Sequence, residues 1–368
     1  MQVQDVALTG ANGFLGFHVR AALREHRINA RAITLGAGYN RDIAASSIDG
    51  SSRLIHLAGV NRGTDDEVSE GNLRFASQVA DSIGRANVPP ITVVYANSTQ
   101  STNDSVYGNS KMTAANILRT AAVSVGAEFQ DVCLPNLFGE HGRPFYNAVT
   151  ATFCHLLANG EQPSVDRDAD LTLLHAQDAA DLLIGAANAE EVELLNARET
   201  VAGLLRRLKT MAANYDDGEI PDVVEVFNRN LFNTYRSYAF PSQAPVRLTR
   251  HADARGSFFE IIRSHGGSGQ SSFSTTAPGI SRGDHFHRRK IERFTVLAGS
   301  ATIALRRLFS DDVHEFKVTG DDPVAVDMPT MWAHKITNTG TGELFTSFWS
   351  NDIFDPRNPD TIAEEVQK

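Results

Sequence analysis

The chain has 368 residues, 42% of them hydrophobic and 21% charged, the composition of a folded globular protein long enough for two or three domains. A net charge of −10 without any Lys/Arg-rich run excludes an electrostatic footprint for nucleic acid, and no apolar stretch approaches the roughly 18 residues of a membrane span. A first strand beginning within five residues of Met1 leaves no room for a secretory leader, and Cys133 and Cys154 make no disulfide framework; reduced, mostly buried thiols in a cytoplasmic protein are the expectation.

The apolar run Asp5–Leu8 leads into Thr9-Gly10-Ala11-Asn12-Gly13-Phe14-Leu15-Gly16, and a helix is read over 14–25. Glycines at this spacing let the backbone turn sharply and approach a pyrophosphate, while the helix N-terminus offers it free N–H groups. Gly10, Asn12, Gly13, Phe14, Leu15 and Gly16 are thus candidate cofactor residues. Further segments alternate: strands at 31–35, 53–59, 91–98 and 128–136, helices at 67–86 and 107–125. Such alternation predicts a doubly wound parallel α/β sheet of Rossmann type, the context the glycine loop requires.

The end of the second strand, Leu35-Gly36-Ala37-Gly38-Tyr39-Asn40-Arg41, carries no acid to accept from a ribose 2′-OH. Arg41, or Arg31, is placed to face a 2′-phosphate, which points to NADP(H). Nine residues after Ser98, Tyr107 and Lys111 stand at i and i+4 on one helix face. There an ammonium lowers the phenol's pKa and holds a nicotinamide ribose, and Ser98 can bond the same substrate oxygen.

Thr9–Gly16, His56-Leu57-Ala58-Gly59, Ser98, Tyr107/Lys111 and Pro135-Asn136-Leu137-Phe138-Gly139 together resemble the extended short-chain dehydrogenase/reductases that act on nucleotide-sugars. The resemblance implies Ser98, Tyr107 and Lys111 as the catalytic trio, Leu57 and Ala58 beside the cofactor, and a nucleotide-sugar held by the segment after Asn136. Asn136, Arg143, Asn147 and Arg167 are candidates for that contact. Sugar-nucleotide 4,6-dehydratases carry Asp-Glu after the catalytic Ser/Thr; Thr99-Gln100 stands here, which disfavours elimination and leaves a plain redox step.

Helical stretches at 177–188 and 200–213, and an amphipathic helix from Asp222 onward, precede Phe240-Pro241-Ser242-Gln243-Ala244-Pro245. The two prolines set the expected boundary between a reductase domain, 1–243, and a second domain, 246–368. From Val246 short alternating segments predict an antiparallel sandwich or barrel. Within it stand Gly279-x5-His285-x-His287-x4-Glu292-x6-Gly299, then Pro329 and His334-x3-Asn338. Two His at i and i+2 share a strand face, and Glu292 and His334 from neighbouring strands complete a set suited to a divalent metal: Zn, Fe, Mn or Ni, with Zn preferred.

This pattern resembles both motifs of the cupins, except that Met331 replaces the usual Gly of the second. Asp253-Ala254-Arg255-Gly256 and Arg282-Gly283-Asp284-His285 further resemble the sugar-nucleotide 3,5-epimerase branch, which implies that Arg255 and Arg282 grip the diphosphate. If His285 ligates the metal it is not a free base, and Lys290 or Lys335 remains for that role. The order of the modules, with the tail Phe354-Asp355-Pro356-x-x-Pro359-Asp360, resembles a family of bifunctional capsular-polysaccharide and O-antigen enzymes. That resemblance implies C3 epimerisation of a UDP-linked 2-acetamido-2,6-dideoxy-4-keto hexose, NADPH-dependent reduction at C4, and a homodimer. A single-activity oxidoreductase whose cupin only binds ligand or dimerises is the alternative.

Overall fold

The computed structural model describes residues 5–367. The chain folds into two compact units: one of residues up to 138, 142–149 and 170–199, the other of 139–141, 150–169 and 200 onward.

In the first unit, β1 (Asp5–Thr9), β2 (Asn29–Ile33), β3 (Arg53–His56), β4 (Thr92–Ser98) and β5 (Glu128–Leu134) form a fully parallel sheet in the order β2-β1-β3-β4-β5. Its inner strands β1, β3 and β4 are buried on both faces, so alternate residues feed two cores. Val6, Leu8, Ile55 and Val94 pack with α1 (Phe14–Glu25), while Ala7, Leu54, Val93 and Tyr95 pack with α2 (Arg41–Ile48), α3 (Asp65–Arg85) and α4 (Val106–Ser124). The chain leaves β1 towards β2 on one side and returns to β3 on the other, so the glycine loop after β1 lies at the switch point where such sheets bind ligands. The doubly wound expectation holds.

A small sheet of β6 (Asn136–Phe138), β7 (Asp170–His175) and β8 (Ala197–Thr200) belongs with α6 (Ala176–Ile184) and α7 (Ala189–Glu193) to the first unit, while α5 (Val149–Ala158) falls almost wholly in the second. The sequence pattern does not reveal these strands, of which β6 has only three residues and β8 four. Cys154 is buried as expected; Cys133, on β5, is exposed.

The second unit also holds α8 (Val201–Asp216) and α9 (Val226–Ala239). Strand β9 (Val246–Arg247) and a detached hairpin, β10 (His251–Asp253) with β11 (Gly256–Phe258), follow. The remaining strands are β12 (Gln270–Thr276), β13 (Ser281–Phe286), β14 (Glu292–Ala298), β15 (Ser300–Arg307), β16 (Val313–Thr319), β17 (Val324–Met328), β18 (Trp332–Asn338), β19 (Leu344–Ser350) and β20 (Ile362–Ala363). They make two antiparallel sheets, β12-β19-β14-β17-β9 and β16-β15-β18-β13-β20, the all-β architecture expected. Phe294, Val296, Ile303, Leu305, Val326, Met328 and Ile336 fill the core of this domain.

The compact units part near residue 200, whereas the two prolines place the join at 244–245. The reason is a buried polar network. Arg293 on β14 makes a two-pronged ion pair with Asp327 on β17, at 2.6 and 2.9 Å, and donates to the Gly218 carbonyl at the end of α8. Tyr215 of α8 is buried beside the same carboxylate, and Arg236 of α9 donates to the Met328 carbonyl. Helices α8 and α9 therefore group with the β-strands.

No helix among the described residues is long and apolar enough to cross a membrane.

Candidate functional site

The turn after β1 is shaped by close backbone approach. Gly10 has φ +69, and a Cβ there would lie 2.8 Å from the Ala58 nitrogen; at Gly16 a Cβ would lie 2.1 Å from the Gly10 carbonyl oxygen. Any side chain at either position is excluded. Gly13 stands at the N-cap of α1 with no side chain to cap it, so the first-turn N–H groups remain available to an anion.

Thr9 ties this turn to the next one. Its Oγ1 accepts the N–H of Leu57 at 3.1 Å and of Ala58 at 3.3 Å and lies 2.7 Å from His56 Nδ1. Burial, then the nearby Lys111 charge, pushes His56 down to about 3, so the ring is neutral and Nδ1 accepts from the hydroxyl. Buried Asn72 fixes the following residues: its Oδ1 accepts from Val60 N, and its Nδ2 donates to the Val60 carbonyl and to Ser110 on α4. Leu57 and Ala58 thus sit against the glycine turn. Thr9 stands in that motif, but its role escapes sequence reading because it depends on a residue 47 positions away.

Ser98 ends β4 and Tyr107 opens α4, with the Ser98 hydroxyl near the Tyr107 phenol. Burial raises the Tyr107 pKa, an effect that Ser98 partly offsets. Lys111, one turn on, is buried; its Nζ donates to the Ala96 carbonyl at 2.8 Å and lies 4.1 Å from the centre of the Tyr95 ring. Burial pushes its pKa down to about 7, against the pull of Asp131 and Cys133. The three residues are brought together at the C-terminal end of β4, a phenol with a neighbouring hydroxyl and a buried lysine.

Of the two arginines weighed for a 2′-phosphate, Arg31 is paired with Asp5 and donates to the Asp49 carbonyl. Arg41, exposed at the start of α2, is the one left available. Asn136 is exposed at the start of β6. Arg143 stacks over Tyr146, its guanidinium carbon 4.9 Å from the ring centre, and Asn147 donates to the Asn61 carbonyl. Arg62 also reaches the Tyr146 ring, at 5.8 Å, a neighbour that no sequence motif singles out.

In the β-domain, His285 on β13 is in register with His334 on β18, His287 follows in the next turn, and Glu292 opens β14 of the facing sheet. One ligand atom from each lies within 4.8 Å of all the others. Two of the imidazoles give Nδ1–H to a backbone carbonyl, His287 to Asp360 and His334 to Trp332. In the neutral rings Nε2 of both His287 and His334 carries a lone pair, 3.1 and 3.3 Å from Glu292 Oε2. Lone pairs held against a carboxylate oxygen repel unless a cation sits among them. These separations match the edges, about 3.3 Å, of a tetrahedron with metal bonds of about 2.0–2.1 Å. The residues fit a divalent metal.

Met331, standing where cupins carry Gly, adopts φ +61 and its N–H donates to the His287 carbonyl at 2.7 Å, so the expected turn forms despite its side chain. Lys335 follows inward-facing, fully buried His334 on the same strand and so points to the opposite face; its Nζ bonds Gln367. It does not face the ligand set. Lys290 Nζ bonds Thr361. Arg282 donates to Thr276 Oγ1 and the Thr275 carbonyl, while Arg255 lies in the detached hairpin, 90% exposed and paired with Asp253. The structure does not join Arg255 to the His/Glu cluster.

Residues 6–197 match the NAD dependent epimerase/dehydratase family, and residues 251–362 match the polysaccharide biosynthesis C-terminal domain. The chain is 30% identical to UDP-2-acetamido-2,6-beta-L-arabino-hexul-4-ose reductase of Pseudomonas aeruginosa, over 98% of both chains. It is similar in structure to the capsular polysaccharide assembling protein CapF of Staphylococcus aureus, with TM-score 0.62 and 32% identity, covering 98% of this chain and 100% of that one. A second similarity, over 31% of this chain and 82% of the other at 25% identity, is to the spore coat polysaccharide biosynthesis protein SpsL of Bacillus subtilis.

Proposed function

The chain belongs to the NAD dependent epimerase/dehydratase family, and from that premise we propose that it is a bifunctional nucleotide-sugar enzyme of capsule or O-antigen synthesis. The β-domain epimerises C3 of a UDP-2-acetamido-2,6-dideoxy-4-keto hexose. The N-terminal domain then reduces C4 with NADPH, giving UDP-N-acetyl-L-talosamine on the route to UDP-N-acetyl-L-fucosamine. Full-length similarity to a reductase named for a 4-ulose of this type supports the substrate class. The observation that carries the reading is Ser98 at the end of β4 beside Tyr107, with Lys111 one turn on, in the unit that holds a glycine turn built for a pyrophosphate.

Bound NADPH supplies the hydride that C4 receives. Tyr107 gives its proton to the C4 oxygen as that oxygen becomes an alkoxide, and Ser98 donates to the same oxygen. Lys111, one turn on from Tyr107, holds the nicotinamide ribose in place. Gly10 through Gly16 hold the pyrophosphate, and Arg41 faces the 2′-phosphate. In the β-domain a divalent metal, Zn by its donor set, would be held by His285, His287, Glu292 and His334 and would supply Lewis acidity toward the enolate oxygen formed when the C3 proton leaves. Arg282 is the candidate diphosphate contact there, and we take the working unit to be a homodimer.

Incubation with a UDP-4-keto-6-deoxy-HexNAc in deuterated water tests both halves. Deuterium is expected at C3 without cofactor, and NADPH consumption only when it is added. Absence of exchange at C3 would leave a reductase alone.

A further inference from the structure

The C-terminal segment wraps the strand that carries the histidines. Backbone pairing sets Ala363 of β20 against His285 and Ile362 against Phe286. Beyond it, Glu364 N donates to the Asp284 carbonyl and Val366 N to the Asp284 carboxylate, both at 3.0 Å. Fully buried Arg306 locks the same stretch, donating to Glu364 Oε1 at 2.7 Å and to the carbonyls of Glu365 and Val366.

At the head of this segment, Asp360 takes the left-handed backbone conformation, φ +42, and turns both its polar ends on the ligand loop. Its carbonyl accepts His287 Nδ1–H at 2.5 Å. Its carboxylate accepts three successive backbone N–H groups just after His287: Arg288 at 2.9 Å, Arg289 at 2.8 Å and Lys290 at 2.7 Å. A surface loop gains little from so complete a set of acceptors. A loop that must hold an imidazole at one angle and in one tautomer gains a great deal, because the outer partner of a ligating histidine fixes both.

We infer that Asp360 is a positioning residue of the metal centre, and that the C-terminal segment 360–366 is built into that centre rather than appended to it. This rests on the proposed assignment of His285, His287, Glu292 and His334 as metal ligands. The carboxylate acts on the loop and the carbonyl on His287, so losing the side chain frees the turn and lets the ring rotate away from its lone-pair geometry.

The experiment uses the full chain, stripped with chelator, and reads metal binding directly: Co(II) absorption bands for ligand geometry, and Zn(II) competition against a chromophoric chelator for affinity. Asp360→Ala is expected to weaken Zn(II) by about 10–100-fold and to alter the Co(II) bands. Asp360→Asn, which keeps one acceptor oxygen and tolerates the left-handed backbone, should fall between Ala and the parent. Parental affinity and bands in Asp360→Ala would overturn the inference; if that variant does not fold, parental values in Asp360→Asn do the same. Failure of the unmodified protein to bind either ion would sink the metal assignment itself, an outcome told apart because no variant enters it.

Discussion

The Thr9 hydroxyl, 2.7 Å from His56 Nδ1, accepts two backbone N–H groups from the turn that packs against Gly10. One side chain thereby sets the spacing of both turns proposed to flank the cofactor. Thr9→Val keeps the shape and removes every one of these bonds, leaving buried donors unpaired at about 1–3 kcal/mol. The expected outcome is a weaker dissociation constant for NADPH, measured by fluorescence titration, with a lowered unfolding midpoint. Thr9→Ser should restore both.

Tyr107→Phe separates the two proposed activities. Loss of the proton donor is expected to lower NADPH-dependent reduction by about 10²–10⁴-fold. Deuterium incorporation at C3, followed by NMR, should continue at the parental rate, because Tyr107 lies in the N-terminal unit and the His/Glu cluster in the other.

Buried Lys111 predicts a pH dependence of stability. In the unfolded chain a lysine keeps its proton to about pH 10.4, whereas in the folded protein Lys111 releases it near 7. Between those values the unfolded chain binds more proton, so stability rises with pH; below about 7 both forms are protonated and the rise is absent. Lys111→Met should flatten the rise in urea midpoints taken from pH 6 to 10, and an unchanged profile would count against the burial argument.

Arg41 carries the cofactor preference. Arg41→Ala is expected to raise KM for NADPH by about tenfold, the loss of one exposed charge-assisted contact, and to leave KM for NADH unmoved. Equal change with both cofactors would remove Arg41 from the 2′-phosphate.

The Arg293–Asp327 pair is buried with its helix partners. Asp327→Asn leaves an uncompensated guanidinium, and unfolding of the second unit, followed by denaturant titration, should be easier by about 3–5 kcal/mol.

Local patterns in the sequence exposed much of this. The glycine turn, the Tyr107/Lys111 face and the His285/His287 face are each read within a few residues, because helix and strand periods fix which side chains share a side. Both fold classes followed from the same periods. What stayed hidden depends on long-range pairing: Thr9 with His56, Arg293 with Gly218, and Asp360 with a loop about seventy residues earlier. Short strands such as Asn136–Phe138 gave too few residues to show a period at all. Met331 misled in the other direction, since a missing glycine cast doubt on a turn that a fully buried methionine nonetheless makes.

The grouping of α8 and α9 with the β-strands bears on how the two activities can be pulled apart. A fragment starting at residue 246 would keep Arg293 and Asp327 but lose Tyr215, Gly218 and Arg236, exposing a charged seam made to be covered. Cutting a gene at the proline pair would therefore damage the β-domain fragment whatever its catalytic role, and a dead truncation would say nothing about chemistry. Single replacements that spare the seam, such as Glu292→Ala, are the cleaner scissors, and a natural split of the two modules would be expected near residue 200.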